Sequence, residues 1–434
     1  MNHTEIGILG AGIMGCCLAL DLAQRGYRVD LIDCAPEPMT GASLHNEGKL
    51  HLGFVYANDP LKATHGLMLR GSLAFSRIIE RLTGCGADFL KPSQPFHYFV
   101  PVDSQLELAT IDDHFHEVQE AIHEETRRTG DIYLGRKIDR YHKRNSSRFH
   151  ERLFSSNLTL GSFMTEERSI SPVAVSLILR RAIKNQPNLN FLGNTHIISA
   201  DRLASGDVEI ETRREDNTVL YRYSSIANCL WDDRIRIDRT AGIFHDTSWL
   251  FRYKVTINVR VPAREHNSIP SATGILGPYG DVVNYNDGSY YISWYPLCKI
   301  VQSNQEDGRI LHDKVHKGLL PKSIRKMTSR FPPISKFVAS ISHRKFVKDN
   351  IREMTAYIPA MTNLLNNNIR GKIGGGIIVA KGHTDIDDPE SLLHQRSAIG
   401  PIAYGTYVTV DTGKFCTAPL FAQEAADMIV DILK

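Results

Sequence analysis

The chain has 434 residues, 42% of them hydrophobic, which is enough to bury a large core and too many for one small domain, so two joined domains are expected. Its 51 Lys+Arg against 48 Asp+Glu leave a formal charge of +3, too small over this length to make nucleic acid or an anionic membrane the main partner. A small-molecule ligand is what remains. Seven cysteines, at 16, 17, 34, 85, 229, 298 and 416, are an odd number without CxxC spacing, which suits reduced thiols and a cytoplasmic setting. The apolar run from Ile6 to Ala23 holds four glycines and Asp21 and has no basic flank, so it reads as strand, turn and helix rather than signal peptide or membrane span. No later segment is long and apolar enough to be an integral membrane helix.

In chain order, Glu5 to Leu9 is a short strand, Ile13 to Arg25 has helical spacing, and Arg28 to Ile32 alternates as a second strand, together a βαβ unit. Asp59 to Leu82 and Ser104 to Thr129 are predicted helices with a strand, Phe96 to Val102, between them. Arg136 to Arg152 is basic and polar and reads as a solvated surface. Ser171 caps a helix running to Ile183 with Pro172 in its first turn. Phe251 to Val261, Ala272 to Ile275 and Ser289 to Trp294 alternate strongly between Gly, Asn and Asp turns, the pattern of an antiparallel sheet. His312 to Arg330 is predicted helical, Gly374 to Ala380 and Tyr407 to Val410 are strands, and Ala418 to Ile432 is an amphipathic helix.

Parallel, helix-bearing segments at both ends around an antiparallel centre indicate an α/β fold: a discontinuous Rossmann-like dinucleotide domain with an inserted, mainly antiparallel α+β substrate domain. The expected division is 1–88, 158–248 and 366–434 for the first and 89–157 and 249–365 for the second.

Gly10, Gly12 and Gly15 form G-x-G-x-x-G between the first strand and its helix, the context that gives this motif its force. Gly10 permits a tight turn, Gly12 lets the backbone approach a pyrophosphate, and Gly15 allows close helix–strand packing; Ile13 and Met14 open the helix whose N–H groups face the phosphates. Asp33, at the end of the second strand, can accept hydrogen bonds from ribose hydroxyls and would repel a 2′-phosphate, which favours FAD or NAD over NADP.

Three stretches then carry a resemblance: IGILGAGIMGCCLALDLAQRGYRVDLID, GASLHNEGKLHLGFVYA and YVTVDTGKFCTAPLFAQEAADMI. They are similar to the FAD-binding opening, the flavin-wrapping segment and the C-terminal turn and helix of the family of D-amino-acid oxidases, glycine and sarcosine oxidases and 2-hydroxyglutarate dehydrogenases. The resemblance implies FAD, with contacts from Ser43, His45, Asn46, Gly48 and Lys49 and from Thr412, Gly413 and Lys414. The helix after Gly413 directs its positive end towards whatever precedes it, a place suited to the negative charge of a reduced flavin. The chain departs from the family at IANCLWDDR, where Trp231 stands near the cofactor in place of a glycine, and at REMTAYIPAM, where Arg352 comes earlier than the usual carboxylate-binding arginine.

The implied activity is oxidation of a small polar substrate, an amine or amino acid, by hydride transfer to flavin N5; a 2-hydroxy acid or other alcohol is the alternative, and a structural or non-redox use of the nucleotide a third. His51 occupies the His-x-Gly position of the hydroxyacid dehydrogenases and is the candidate base for an alcohol proton. His45 aligns with the histidine that binds flavin covalently in dimethylglycine dehydrogenase-like relatives; noncovalent binding is expected here. Tyr291, on the aromatic strand GSYYISWYP, is a candidate roof over the flavin, and Arg252 a candidate clamp for a substrate acid group. Asp385, Asp387 and Asp388 lack EF-hand spacing and read as a capped surface turn, and the pairs His114/His116 and His142/His150 lack zinc spacing, so no metal is expected. The electron acceptor, oxygen or a carrier, and a homo-oligomeric state are left open.

Overall fold

The computed structural model describes residues 5–262, 268–304, 343–366, 369, 371–396 and 398–434. The chain opens with β1 (Ile6–Leu9), α1 (Ile13–Gln24) and β2 (Val29–Ile32), then passes through β3 (Lys49–Leu50), α2 (Ala63–Thr83), β4 (Phe96–Pro101) and α3 (Leu108–Thr129). Next come β5 (His142–Arg144), α4 (Ser147–Leu153), β6 (Thr159–Thr165), β7 (Arg168–Ser169), α5 (Pro172–Asn185) and β8 (Leu189–Leu192). A meander of β9 (His196–Arg202), β10 (Val208–Arg214) and β11 (Asn217–Tyr223) leads to β12 (Ser225–Asn228) and α6 (Arg234–Thr240). The second half holds β13 (Trp249–Arg260), β14 (Ser271–Gly274), β15 (Gly280–Asn284), β16 (Ser289–Trp294), β17 (Lys299–Ser303), α7 (His343–Tyr357) and β18 (Gly371–Lys381). It closes with β19 (Gly400–Tyr404), β20 (Tyr407–Asp411) and α8 (Ala418–Ile432).

One sheet runs β19-β20-β12-β1-β2-β8, parallel throughout except at its β19 edge. β1, β2 and β12 are buried at every position because both faces are covered, one by α1 and α8 and the other by the β9–β11 meander with α6, where Leu9, Ile32 and Ile226 pack with Ala200, Val208, Ile210 and Ile237. α1 and α8 lie together in the main core, Leu18 and Leu22 in one cluster with Ala422, Ala425, Ala426 and Ile429. The first and last helices of the chain thus close the same layer.

The second sheet has nine strands, built around β13. β18 pairs along one edge of β13 from Trp249 to Val259; on the other edge β17 takes its first half and β16 its second. β15, β14, β4, β6 and β5 continue from β16. Alternation sorts its side chains: Tyr290, Ile292 and Trp294 pack with Val347, Ile351 and Met354 of α7, whereas Tyr291 joins the cluster shared with the dinucleotide unit.

Strand pairing departs from the expected division at two points. β6 hydrogen-bonds to β4 and β5, and β18 to β13, so both belong to the second sheet although 158–248 and 366–434 were assigned to the first. Hydrophobic alternation reports that a strand is half-buried but not which sheet it joins. Arg136 to Arg152 is only partly solvated surface, since β5 and α4 fold there with His142 and His150 buried. The predicted helix at His312 to Arg330 lies outside the described residues.

Candidate flavin and substrate site

The glycine fingerprint combines a tight turn at Gly10, close packing at Gly15 and open space at Gly12. Gly10 has φ +97. A Cβ on Gly15 would stand 1.9 Å from the Gly10 carbonyl oxygen, whereas one on Gly12 would meet only the Ser43 hydroxyl, at 3.1 Å. Space is therefore kept open in front of the α1 N-terminus, where N–H groups and the helix dipole favour an anion. Ser43 sits there, its Oγ accepting from the Ile13 N–H at 3.0 Å. The Asp33 carboxylate accepts from Ala11 N–H at 2.6 Å and Ala35 N–H at 2.8 Å, which sets it beside the loop; burial raises its pKa.

The segment from Ala42 to Gly48 lies against β18 because that strand carries Gly374 and Gly376 on the facing side. A Cβ on Gly374 would meet the His45 ring at 2.3 Å, and one on Gly376 would meet the Ala42 backbone at 2.8 Å. Asn46 organises the segment internally, donating to the carbonyls of Ala42 and Ser43 and accepting from Gly48 N–H at 2.7 Å. Gly48, with φ +65, passes so close to the Ile170 carbonyl that a Cβ would lie 1.9 Å from its oxygen. Lys49 points elsewhere: it is buried, donates to Thr273 Oγ1 at 2.6 Å, pairs with Asp281 at 3.2 Å and lies over the Phe96 ring. Its expected cofactor contact is corrected accordingly, because the ammonium is already neutralised within the second sheet.

The Trp231 departure has a conformational explanation. Trp231 has φ +57, the left-handed backbone that a glycine adopts without strain, and its indole N–H donates to the Ile377 carbonyl at 2.7 Å. Just before it, Asn228 is held by Asp238 and Tyr407, and Arg234 lies 3.3 Å from Asp238. This buried network fixes the 229–234 turn in the place of the usual small-residue turn.

The other wall is the face of the second sheet that looks towards this segment. Register puts Arg252, Lys254 and Thr256 of β13 on the same face as Gly376, Gly374, Tyr291 and Ser293. Several buried polar atoms there and nearby have no hydrogen-bond partner among the described residues: Thr256 Oγ1, Arg252 Nε, Tyr56 Oη and His51 Nδ1. Buried polar groups are normally hydrogen-bonded, so this concentration marks a place prepared for a polar ligand. Together with the open helix end and the glycine-lined strand, it fits a dinucleotide whose ring end lies between the two sheets.

Charge converges on that end. Arg252 is buried, and its guanidinium donates to Asp385 at 2.8 Å and Tyr295 Oη at 2.6 Å. Asp385 also receives Lys299 at 2.8 Å, so the expected surface turn instead supplies a buried hub. Burial opposes its ionisation, but Arg252 and Lys299 hold its carboxyl below the usual range. Arg396 is 5% exposed and donates to the carbonyls of Leu393 and Gly413 at 3.0 and 2.8 Å; among the described residues it forms no ion pair. Burial, reinforced by Arg396, lowers the pKa of Lys414 to about 7, although part of its surface remains open. His394 is pushed down to about 3 by burial and by Lys414 and Arg396.

His51 is likewise buried and held well below its usual pKa by burial and by Lys414 and Lys49. Its Nδ1 lies 3.7 Å from Glu167, which accepts from Tyr98 Oη and from Leu52 N–H, the latter at 2.6 Å, and whose pKa burial raises. The Tyr56 ring stands edge-on to both His51 and His394, at 5.7 and 5.6 Å between centroids. Thr412 and Gly413 form the expected sharp turn, Gly413 with φ +64, ahead of α8. Sequence reasoning missed Tyr56, Glu167, Asp385, His394 and Arg396 as members of this group.

The family model described as FAD dependent oxidoreductase matches residues 5–230. The FAD-dependent monooxygenase FPY4 of Fusarium mangiferae is 34% identical over 80 residues, 18% of this chain; the match spans only 20% of that protein's length. Among solved structures, glycine oxidase from Geobacillus kaustophilus has a TM-score of 0.64 at 12% identity, covering 99% of this chain and 95% of that one. L-alpha-Glycerophosphate Oxidase from Mycoplasma pneumoniae, with FAD bound, has a TM-score of 0.62 at 15% identity and the same coverages, 99% and 95%. At such identities the likeness is one of fold. Among the described residues no helix is long and apolar enough to cross a membrane.

Proposed function

The chain belongs to the FAD-dependent oxidoreductase family, and on that premise we propose that it oxidises a small amine or amino acid carrying an acid group. The observation behind this reading is Arg396. A buried guanidinium bonded only to main-chain carbonyls among the described residues keeps its charge uncompensated, and such a charge costs several kcal/mol, on the order of 3–5, unless an anion joins it. A substrate carboxylate is such an anion, and Arg252, with Nε unpartnered, is a second donor for it.

Bound FAD supplies a hydride acceptor. Ser43 and the α1 N-terminus hold its phosphates, Asp33 its ribose, and the turn Thr412–Lys414 lies at its ring end. Arg396 and Arg252 fix the acid group, while Tyr291 closes one side of the substrate space. The surrounding positive charge favours the neutral form of a bound amine, the form that donates hydride. His51 keeps the 2-hydroxy acid alternative in play, because a neutral imidazole with a free nitrogen accepts a hydroxyl proton.

The test is an anaerobic screen of the yellow holoprotein against amino acids, N-alkyl amino acids, 2-hydroxy acids and the same compounds without their carboxylate. Flavin bleaching should require the acid. Charge-assisted hydrogen bonds worth about 1.5–3 kcal/mol correspond to a loss of roughly 10- to 150-fold in kcat/KM for the decarboxylated compounds. Equal rates with and without the carboxylate refute the acid-binding role.

A further inference from the structure

Away from the flavin site, α3 and β5 bring together three residues whose sequence spacing resembles no known zinc pattern. Asp112 and His116 lie one turn apart on α3, and His142 stands on β5. One ligand atom from each lies within 4.8 Å of the others. We propose that Asp112, His116 and His142 form a binding site for a divalent transition metal of the zinc type, fastening α3 to β5.

Two features separate this cluster from a chance meeting of surface groups. First, among the described residues the Nδ1 of His142, which is 4% exposed, has no hydrogen-bond partner, and the buried Oδ1 of Asp112 has none either, His116 Nδ1 standing 3.6 Å from it. Two unpartnered buried atoms on different elements, one an imidazole nitrogen and one a carboxylate oxygen, are a cost that a shared cation removes. The His142 ring stands edge to face with that of His116, 4.6 Å between centroids, so the buried imidazole lies against the cluster. Second, the ligands are oriented by their surroundings. Arg144 holds the other oxygen, Asp112 Oδ2, at 3.1 Å, and His116 Nδ1 hydrogen-bonds to the Asp112 carbonyl at 2.9 Å, which leaves its other ring nitrogen free.

Two imidazoles and a carboxylate make a set that zinc accepts, with water in the fourth position. His116 is the mobile member, its side chain 65% exposed, and contraction to metal-bond distances of about 2.0–2.2 Å falls mainly on it. Arg140 and Arg144 oppose a cation here, which makes affinity in the micromolar range more reasonable than the tighter binding of an all-cysteine site.

The experiment uses flavin-loaded protein, stripped of metal by EDTA and desalted, titrated with zinc chloride by calorimetry and followed by thermal melting. One zinc per chain and a melting temperature raised by several degrees are expected. His116→Ala alters an exposed side chain and should leave the fold and the flavin content intact while weakening zinc at least tenfold; Asp112→Asn should do the same. Magnesium at millimolar concentration should neither bind nor compete, since it prefers oxygen ligands. Absence of stoichiometric zinc binding overturns the proposal, as does zinc binding that is unchanged in His116→Ala and Asp112→Asn.

Discussion

Gly12 and Gly15 stand three residues apart in the same loop, yet substitution by alanine should damage different properties. At Gly15 the new Cβ would lie 1.9 Å from the Gly10 carbonyl oxygen and 3.1 Å from its carbon, both backbone atoms at the β1–α1 junction. Relief requires the helix and strand to part by more than about 1 Å, and overpacking of this kind costs about 1–3 kcal/mol or more. A fall in melting temperature of about 2–4 °C per kcal/mol follows for a unit of this size. At Gly12 the backbone is extended, φ −69 and ψ −179, which alanine adopts freely, and the only neighbour of the new Cβ is the rotatable Ser43 hydroxyl at 3.1 Å. Stability of the flavin-free protein should change by less than about 1 kcal/mol, as for an ordinary surface substitution. The methyl group, however, occupies space in front of the helix end, and a loss of about 3 kcal/mol there weakens FAD roughly 150-fold; Gly12→Val should abolish binding. Circular dichroism melts of the flavin-stripped proteins read the first effect, and flavin released per mole of denatured protein reads the second. The reasoning is refuted if Gly12→Ala and Gly12→Val retain full FAD content, or if Gly15→Ala melts with the wild type.

The flavin should be noncovalent: acid precipitation leaves the colour in the supernatant, and colour retained by the pellet but lost in His45→Ala reverses that expectation. If the substrate proves to be an alcohol, His51→Ala should slow flavin reduction by roughly 10²- to 10⁴-fold in a folded, FAD-replete protein, whereas an amine substrate should lose far less and recover with rising pH. His97, His114 and His142, held at about 4, and His394, at about 3, are neutral in the native chain, mainly because of burial. Below pH 6.5 the unfolded chain takes up protons that the native chain refuses, so stability is full above that pH and declines towards pH 4, by an upper figure of about 1.4 kcal/mol per histidine at pH 5.5. Melting temperatures of the metal-free protein that stay level from pH 7 to pH 5 contradict this.

How much was legible depended on whether a feature is local. The fingerprint and its acid lie within one βαβ unit, and Ser171 with Pro172 marks the start of α5, its Oγ accepting from Ala174 N–H at 3.3 Å. Each of these is a property of neighbouring residues. Arg396 lies in an irregular segment between β18 and β19, and Asp385 in a run of acidic and turn residues that looks like surface; both acquire their roles only through Gly413, Arg252 and Lys299, distant in sequence. Trp231 misled for the opposite reason: the residue type changed while the left-handed backbone did not. The second sheet's membership was hidden because β6 and β18 choose their partners by tertiary register, not by their own alternation.

The charge balance of the site bears on which proton the protein has to remove. Arg252 and Lys299 pair with Asp385, Arg396 forms no ion pair among the described residues, Lys414 is poised near neutrality, and His51 and His394 are neutral for the same reason that Lys414 is acidified: burial, followed by their cationic neighbours. An anionic substrate entering this field offsets the excess. On the proposed reading, with a substrate carboxylate at the arginines the remaining cations would disfavour an ammonium group, so an amine would donate hydride without a dedicated base. The same field makes His51 a weak base, and a weak base works only where the proton it takes becomes more acidic as hydride leaves, as an alcohol's does. On the proposed reading one arrangement of charges would serve either substrate class, and the choice between them would fall to steric fit rather than to charge.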